Sequence, residues 1–148
     1  MRMIAIILAL LLINLPASAD TENDAIRADL IAFNDTFNDY ARTYDIEGIV
    51  SLYDEKALWI AADAEPVAGQ ETPRKVFTML TEHDGSLHHT VDKLIIAQDG
   101  SQAVMIGGVQ ASLGKAGPAF DGTYLFVLER RGEEWKIVAD MFHQYKAK

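Results

Sequence analysis

Three features of this 148-residue chain predict an α+β domain, a curved antiparallel sheet wrapped like a cone around a long N-terminal helix, with two shorter helices. Apolar and aromatic residues recur three or four apart from Ile26 to Tyr44. Four long strand candidates joined by tight turns fill the C-terminal half. Gly107-Gly108 interrupts one of those strands, where a sheet needs freedom to bend. Helices first and strands after, rather than in alternation, is the α+β order.

Residues 1–19 read as a secretory signal: Arg2 supplies the positive start, Ile4 to Leu15 an apolar segment, and Ala17-Ser18-Ala19 a small-residue cleavage site before Asp20. The apolar segment is shorter than the roughly 20 residues that a membrane span needs. The expectation is an exported protein, periplasmic or secreted, with no membrane attachment after cleavage and a single domain over residues 20–148.

The first helix is predicted from Thr21 to about Tyr44, with Asp20, Thr21 and Asn23 as candidate caps. Ile26, Leu30, Phe33, Phe37, Tyr40 and Tyr44 form its stripe, and Asp29, Asn34, Asp35, Asn38 and Asp39 its other side. Such a stripe serves as plain core, or as one wall of a cavity in which Tyr hydroxyls find polar partners. Asp45 is placed to cap a second helix carrying Ile46, Ile49, Val50 and Tyr53. Ala57 to Ala61 is too apolar for a solvent-facing strand and is expected to be covered on both faces. A turn-rich connection follows, and Glu71-Thr72-Pro73 opens a third helix that stops near His83-Asp84-Gly85.

The strand candidates are Leu87 to Gln98, Gln102 to Leu113, Ala119 to Arg130 and Glu134 to Tyr145, and their close spacing favours an antiparallel meander. Alternation puts Tyr124, Phe126 and Leu128 inside. In the last strand it groups Trp135, Ile137, Ala139, Met141 and then His143 on the inward side, leaving Asp140 with Lys136, Val138 and Phe142 outside. Both registers of Gln102 to Leu113 are apolar.

The formal net charge is −9, and loss of Arg2 leaves 12 basic against 22 acidic side chains. No cluster of Lys and Arg suits a phosphate backbone, so nucleic acid is not an expected partner. The absence of cysteine excludes thiol chemistry and disulfides. His88 and His89 are adjacent in a strand and point to opposite faces, and no spacing matches a metal-ligand motif, so neither a metal nor another cofactor is expected. There is no G-x-S-x-G elbow and no phosphate loop.

The chain resembles the nuclear transport factor two-like superfamily, which includes ketosteroid isomerases, scytalone dehydratases and SnoaL-like polyketide cyclases. It is closest to the small exported SnoaL-like or ketosteroid-isomerase-like domains. The resemblance is carried by the aromatic first helix, the run from Asp45 to Tyr53, the Ala57-Leu-Trp-Ile strand, Pro66-Val-Ala-Gly before a helix, and Glu134-Trp-Lys-Ile-Val. It implies the cone fold and pairing of two copies through the outer sheet face. In isomerase relatives an Asp on the first strand moves the proton, while a Tyr and a protonated Asp hydrogen-bond the oxyanion. Those positions fall on Ala61, Phe37 and, near a hairpin, Tyr124, so two of the acids are absent.

General acid or base work therefore has His143, Asp140 and Asp63 as its candidates. Asp140 turned inward would have a raised pKa, whereas outside it is a surface carboxylate. Phe33, Phe37, Tyr40, Tyr53, Trp59, Ala61, Tyr124, Phe126 and Met141 are the candidate pocket residues, suited to a small apolar or aromatic molecule. The leading expectation is an exported small-molecule-binding domain that forms a homodimer. Its rivals are an isomerase, cyclase or dehydratase using His143 with Asp140 or Asp63, and a structural or partner-binding module.

Overall fold

The computed structural model describes residues 19–62 and 64–145, with side chains from Asn23 onward. Residues 1–18 of the signal segment and Asp63 lie outside the described residues. Helix α1 spans Ala19–Thr43 and buries Ile26, Leu30, Phe33, Phe37 and Ala41. Asn34, expected on the polar side, is buried as well. Tyr44 leaves the stripe because the helix ends one residue earlier: it takes a positive φ of 57° and its hydroxyl donates to the Gly85 carbonyl at 2.9 Å.

Asp45 caps α2 (Ile46–Ser51), its carboxylate accepting from the Gly48 amide at 2.8 Å. Ile49 and Val50 anchor this short helix, while Tyr53 does not belong to it and instead begins β1 (Tyr53–Ile60). β1 is covered on one face only. Ala57 is buried, but Leu58 is 41% exposed. Strand β2 (Val67–Ala68) pairs with β1 and leads into α3 (Glu71–Glu82), which buries Pro73, Phe77 and Leu80. At its end the left-handed residue is Asp84, with φ 55°, rather than Gly85.

Strands β3 (Ser86–His89), β4 (Lys93–Ile96), β5 (Gln102–Ser112), β6 (Ala119–Arg131) and β7 (Glu134–Gln144) complete an open sheet of order β2-β1-β7-β6-β5-β3, with β4 also beside β5. The sheet is curved and mixed: β1 runs parallel to β7, and every other pair is antiparallel. The expected strand Leu87 to Gln98 divides in two at Thr90, opposite Gly107-Gly108. A Cβ on Gly107 would lie 1.6 Å from the Thr90 carbonyl oxygen, so only glycine lets the chain cross there.

A bulge decides the sidedness of β7. Val127 pairs with Ala139 but Leu128 with Ile137, leaving Val138 as an extra residue. Alternation therefore resets. Trp135 and Ile137 face the core as expected, but Asp140 and Phe142 then turn inward, while Met141 is 41% exposed and His143 is exposed. The inward placement of Ala139, Met141 and His143 and the outward placement of Asp140 and Phe142 are thus corrected. On the outer face, cross-strand register aligns Ile95, Val104, Val127, Ala139 and Leu58 in one apolar row, and Ile106, Leu125, Met141 and Ile60 in the next.

Candidate functional site: an apolar cavity with one buried carboxyl

Between α3, the inner face of the sheet and Phe37 of α1 lies a cavity of about 380 Å³, mostly apolar in its lining. β1 contributes Trp59 and, as the residue after its end, Ala61; β6 contributes Tyr124, β7 Asp140 and Phe142, and α3 Val76, Phe77 and Met79. Amphipathic α3 and the inward alternation of the strands put these residues there.

Asp140 is 6% exposed and accepts a hydrogen bond from the Tyr53 hydroxyl at 2.7 Å. Burial pushes its carboxyl up to about 7, against the opposing pull of the Tyr53 hydrogen bond. Tyr53 is held well above its ordinary pKa, chiefly by burial and then by the charge of Asp140. A carboxyl that titrates near neutrality inside an apolar space can donate a proton or a hydrogen bond, and accept one, within the same pH range.

The second buried polar group is His89. Asn38 holds its backbone from both sides: the His89 amide donates to Asn38 Oδ1 at 2.8 Å, and Asn38 Nδ2 donates to the His89 carbonyl at 2.9 Å. Asn34 Nδ2 donates to the same carbonyl at 3.3 Å, and its Oδ1 accepts from the Tyr124 hydroxyl at 3.2 Å. The imidazole is stacked between Phe37 (4.7 Å, 19°) and Tyr124 (4.0 Å, 16°). Burial first, and the neighbouring His88 charge second, lower its pKa to about 3, so the ring is neutral.

Of the residues picked from sequence, Phe37, Trp59, Ala61, Tyr124 and Asp140 border the cavity. Phe33, Tyr53 and Phe126 pack in the core instead, with Tyr53 reaching the site through its bond to Asp140. Tyr40 is half-buried on the far side of α1, in a shallow depression with Phe33 and Trp135. Met141 and His143 lie outside. Sequence reasoning missed His89 as well as Phe77, Phe120 and Phe142. The available signal for His89 was the Asn34, Asn38 pair, four residues apart and so on one helical face.

A roomier depression of about 590 Å³ runs along α1 past Asp35, Asp39, Arg42 and His88. Charged side chains rim it and neither Asp140 nor His89 borders it, so the site is placed in the apolar cavity. Among the described residues no cluster of three His, Cys, Asp or Glu side chains is placed to hold a metal ion. Among the same residues no helix is long and apolar enough to cross a membrane.

Fold and site together define an α+β cone enclosing an apolar cavity. The chain belongs to the SnoaL-like domain family, which matches residues 30–139. Among solved structures it is similar to a ketosteroid isomerase-like protein from Erwinia carotovora atroseptica, with 16% identity, 85% of this chain and 98% of that one covered, and a TM-score of 0.61. An NTF-2-like protein of unknown function from Shewanella oneidensis shows 15% identity over 78% of this chain and 97% of that one, with a TM-score of 0.65. A domain of unknown function with a cystatin-like fold from Nostoc punctiforme shows 17% identity over 83% and 79%, with a TM-score of 0.67. At these identities the likeness is one of fold alone. No curated protein matches the chain.

Proposed function

We propose that this protein binds a small, flat, largely apolar molecule in the cavity, with Asp140 as its principal polar contact. The observation that carries this reading is a single buried carboxyl, held by Tyr53, in a space of about 380 Å³ lined by aromatic rings. Trp59 borders the space and Trp135 is buried apart from it, so ligand binding should quench the emission of the first tryptophan. A Trp59→Phe chain should lose the response. Unchanged emission and melting temperature across a panel of flat polycyclic compounds would refute binding and leave a structural or partner-binding module.

One observation favours a second reading, in which the bound molecule is also isomerised, cyclised or dehydrated. The 2.7 Å Tyr53–Asp140 pair resembles an acid held ready for proton transfer, and Asp140 replaces His143 as the group we would assign to that step. Turnover abolished in Asp140→Asn and kept in His143→Ala supports this reading; equal loss in both chains contradicts it.

Export and pairing belong to the same proposal. The N-terminal segment supports cleavage before Asp20, which mass spectrometry of the exported chain tests. The outer apolar rows support a homodimer that covers them.

A further inference from the structure

The free edge of β3 faces α1, and α1 closes it on both sides of one residue. The Thr90 amide donates to the Gly108 carbonyl at 3.0 Å, and bonding in an antiparallel pair alternates, so Ser86 and His88 bond across to β5. Leu87 and His89 therefore turn their backbone groups the other way, toward the helix. At His89 the Asn38 side chain meets both groups, its Oδ1 accepting from the amide at 2.8 Å and its Nδ2 donating to the carbonyl at 2.9 Å. At Gly85 the carbonyl accepts from the Tyr44 hydroxyl at 2.9 Å, and the amide donates to the Leu80 carbonyl at 2.7 Å. Leu87 lies between these two points, and among the described residues its amide and carbonyl have no partner. The helix shows why. It runs against β3, with Asn38 beside His89 and Tyr44 beside Gly85, so Ala41, midway between them, stands opposite Leu87. A methyl group neither donates nor accepts, and it leaves the depression of about 590 Å³ open there, with Ala41 and Leu87 both on its border.

We propose that this gap is a second binding site, separate from the apolar cavity, and that it takes a primary carboxamide, held by the amide and carbonyl of Leu87. Asn38 shows the chemistry one step along the same edge: a carboxamide carries its acceptor and donor side by side, and a strand residue offers the matching pair. The other occupants fit worse. An added β-strand would need the positions opposite Gly85 and His89, which Tyr44 and Asn38 already fill, so it would have room for one residue. A carboxylate has no donor for the Leu87 carbonyl and would face Asp35 and Asp39 on the rim. Arg42 on that rim is already paired with Asp39 at 3.1 Å. An ammonium has no acceptor for the Leu87 amide.

The test is an amide NMR titration of the full mature chain with benzamide, N,N-dimethylbenzamide, benzoate, and two tripeptides in which glycines flank a glutamine or a glutamate. Benzamide and the glutamine peptide should move the Leu87 amide, with shifts at Ala41 and Arg42 and none at the indole of Trp59, which borders the cavity. N,N-dimethylbenzamide has lost the donor. It, benzoate and the glutamate peptide should bind about tenfold more weakly or worse, as the loss of one hydrogen bond allows. The stronger of the two carboxamides names the source: benzamide points to a free small molecule, the glutamine peptide to a side chain of a partner protein. Ala41→Asn, which repeats the Asn38 side chain three residues on, should slow hydrogen exchange at the Leu87 amide about tenfold and abolish benzamide binding. Equal binding of benzamide and N,N-dimethylbenzamide overturns the proposal. So does a Trp59 shift that accompanies the Leu87 shift, or a Leu87 amide that no probe moves at millimolar concentration. The wild-type ranking decides even if the variant fails to fold. Asp140→Asn should leave that ranking unchanged, so failure of the cavity reading and failure of this one are separate results.

Discussion

Asp140 and His89 are displaced from their ordinary pKa values in opposite directions by one cause, burial. The folded chain keeps a proton on Asp140 that the unfolded chain releases, since 3.8 becomes about 7. The stability this contributes is complete below pH 3.8 and is lost as pH rises toward 7. His89 falls from 6.5 to about 3, so the unfolded chain takes up a proton that the folded chain refuses. Its contribution is present above pH 6.5 and is lost as pH falls toward 3. Each effect is worth a few kcal/mol, and between about pH 4 and 6.5 the two offset one another. Asp140→Asn should therefore leave a chain whose urea midpoint falls as pH drops from 6.5 to 4, and His89→Phe one whose midpoint falls as pH rises over the same span. Surface pairs such as Asp84 with Lys115 titrate alike in all three chains and drop out of the comparison. Parallel pH profiles for the three chains would show that neither group is held as described.

At the level of elements, two local irregularities determine what faces the cavity. Gly107→Ala forces a methyl group into the Thr90 carbonyl, and we expect a loss of about 3 kcal/mol or more in urea denaturation, well above an ordinary strand substitution. The bulge makes a sharper prediction. Deleting Val138 joins the Leu128–Ile137 and Val127–Ala139 pairs into regular register and keeps Asp140 inward, so the fold and the near-neutral titration of Asp140 should survive. Inserting one alanine after Ala139 should turn Asp140 to the outer face and return its carboxyl to the ordinary range, which a carboxyl-carbon NMR titration would show. These irregularities also explain how far the sequence could be read. The aromatic stripe, the Asp45 cap, Pro73 and the tight turns are local signals, and they announce helices, strands and the α+β order. The extra residue in β7 has no local signature, because Val138 and Ala139 suit a regular strand, and the side on which Asp140 lies was legible only once β6 supplied the register. Asp45, Ile49 and Val50 were readable where Tyr53 was not, since its place depends on β7 beginning to pair with the chain at that point. His89 was hidden for a similar reason: the asparagines that hold it are more than 50 residues away.

For the whole molecule, the outer sheet face presents Leu58 at 41% exposure, Met141 at 41% and Ile95 at 49%, alongside half-buried Val104, Ile106, Leu125 and Val127. Contiguous apolar surface of that kind is seldom left to water. Light scattering at micromolar concentration should report twice the chain mass, and Leu58→Asp combined with Met141→Asp should report the single mass with the cavity still able to bind. A single mass for the unaltered chain would refute the pairing. The corner at Thr90 has a mechanical consequence. With Gly107 beneath it and Asn34 and Asn38 behind it, the end of the cavity holding His89 cannot widen without breaking the sheet crossing. Met79 and Leu113, which also border the cavity, can change rotamer at little cost. Any change in the shape of this space would then be taken up by those flexible side chains and not by the corner.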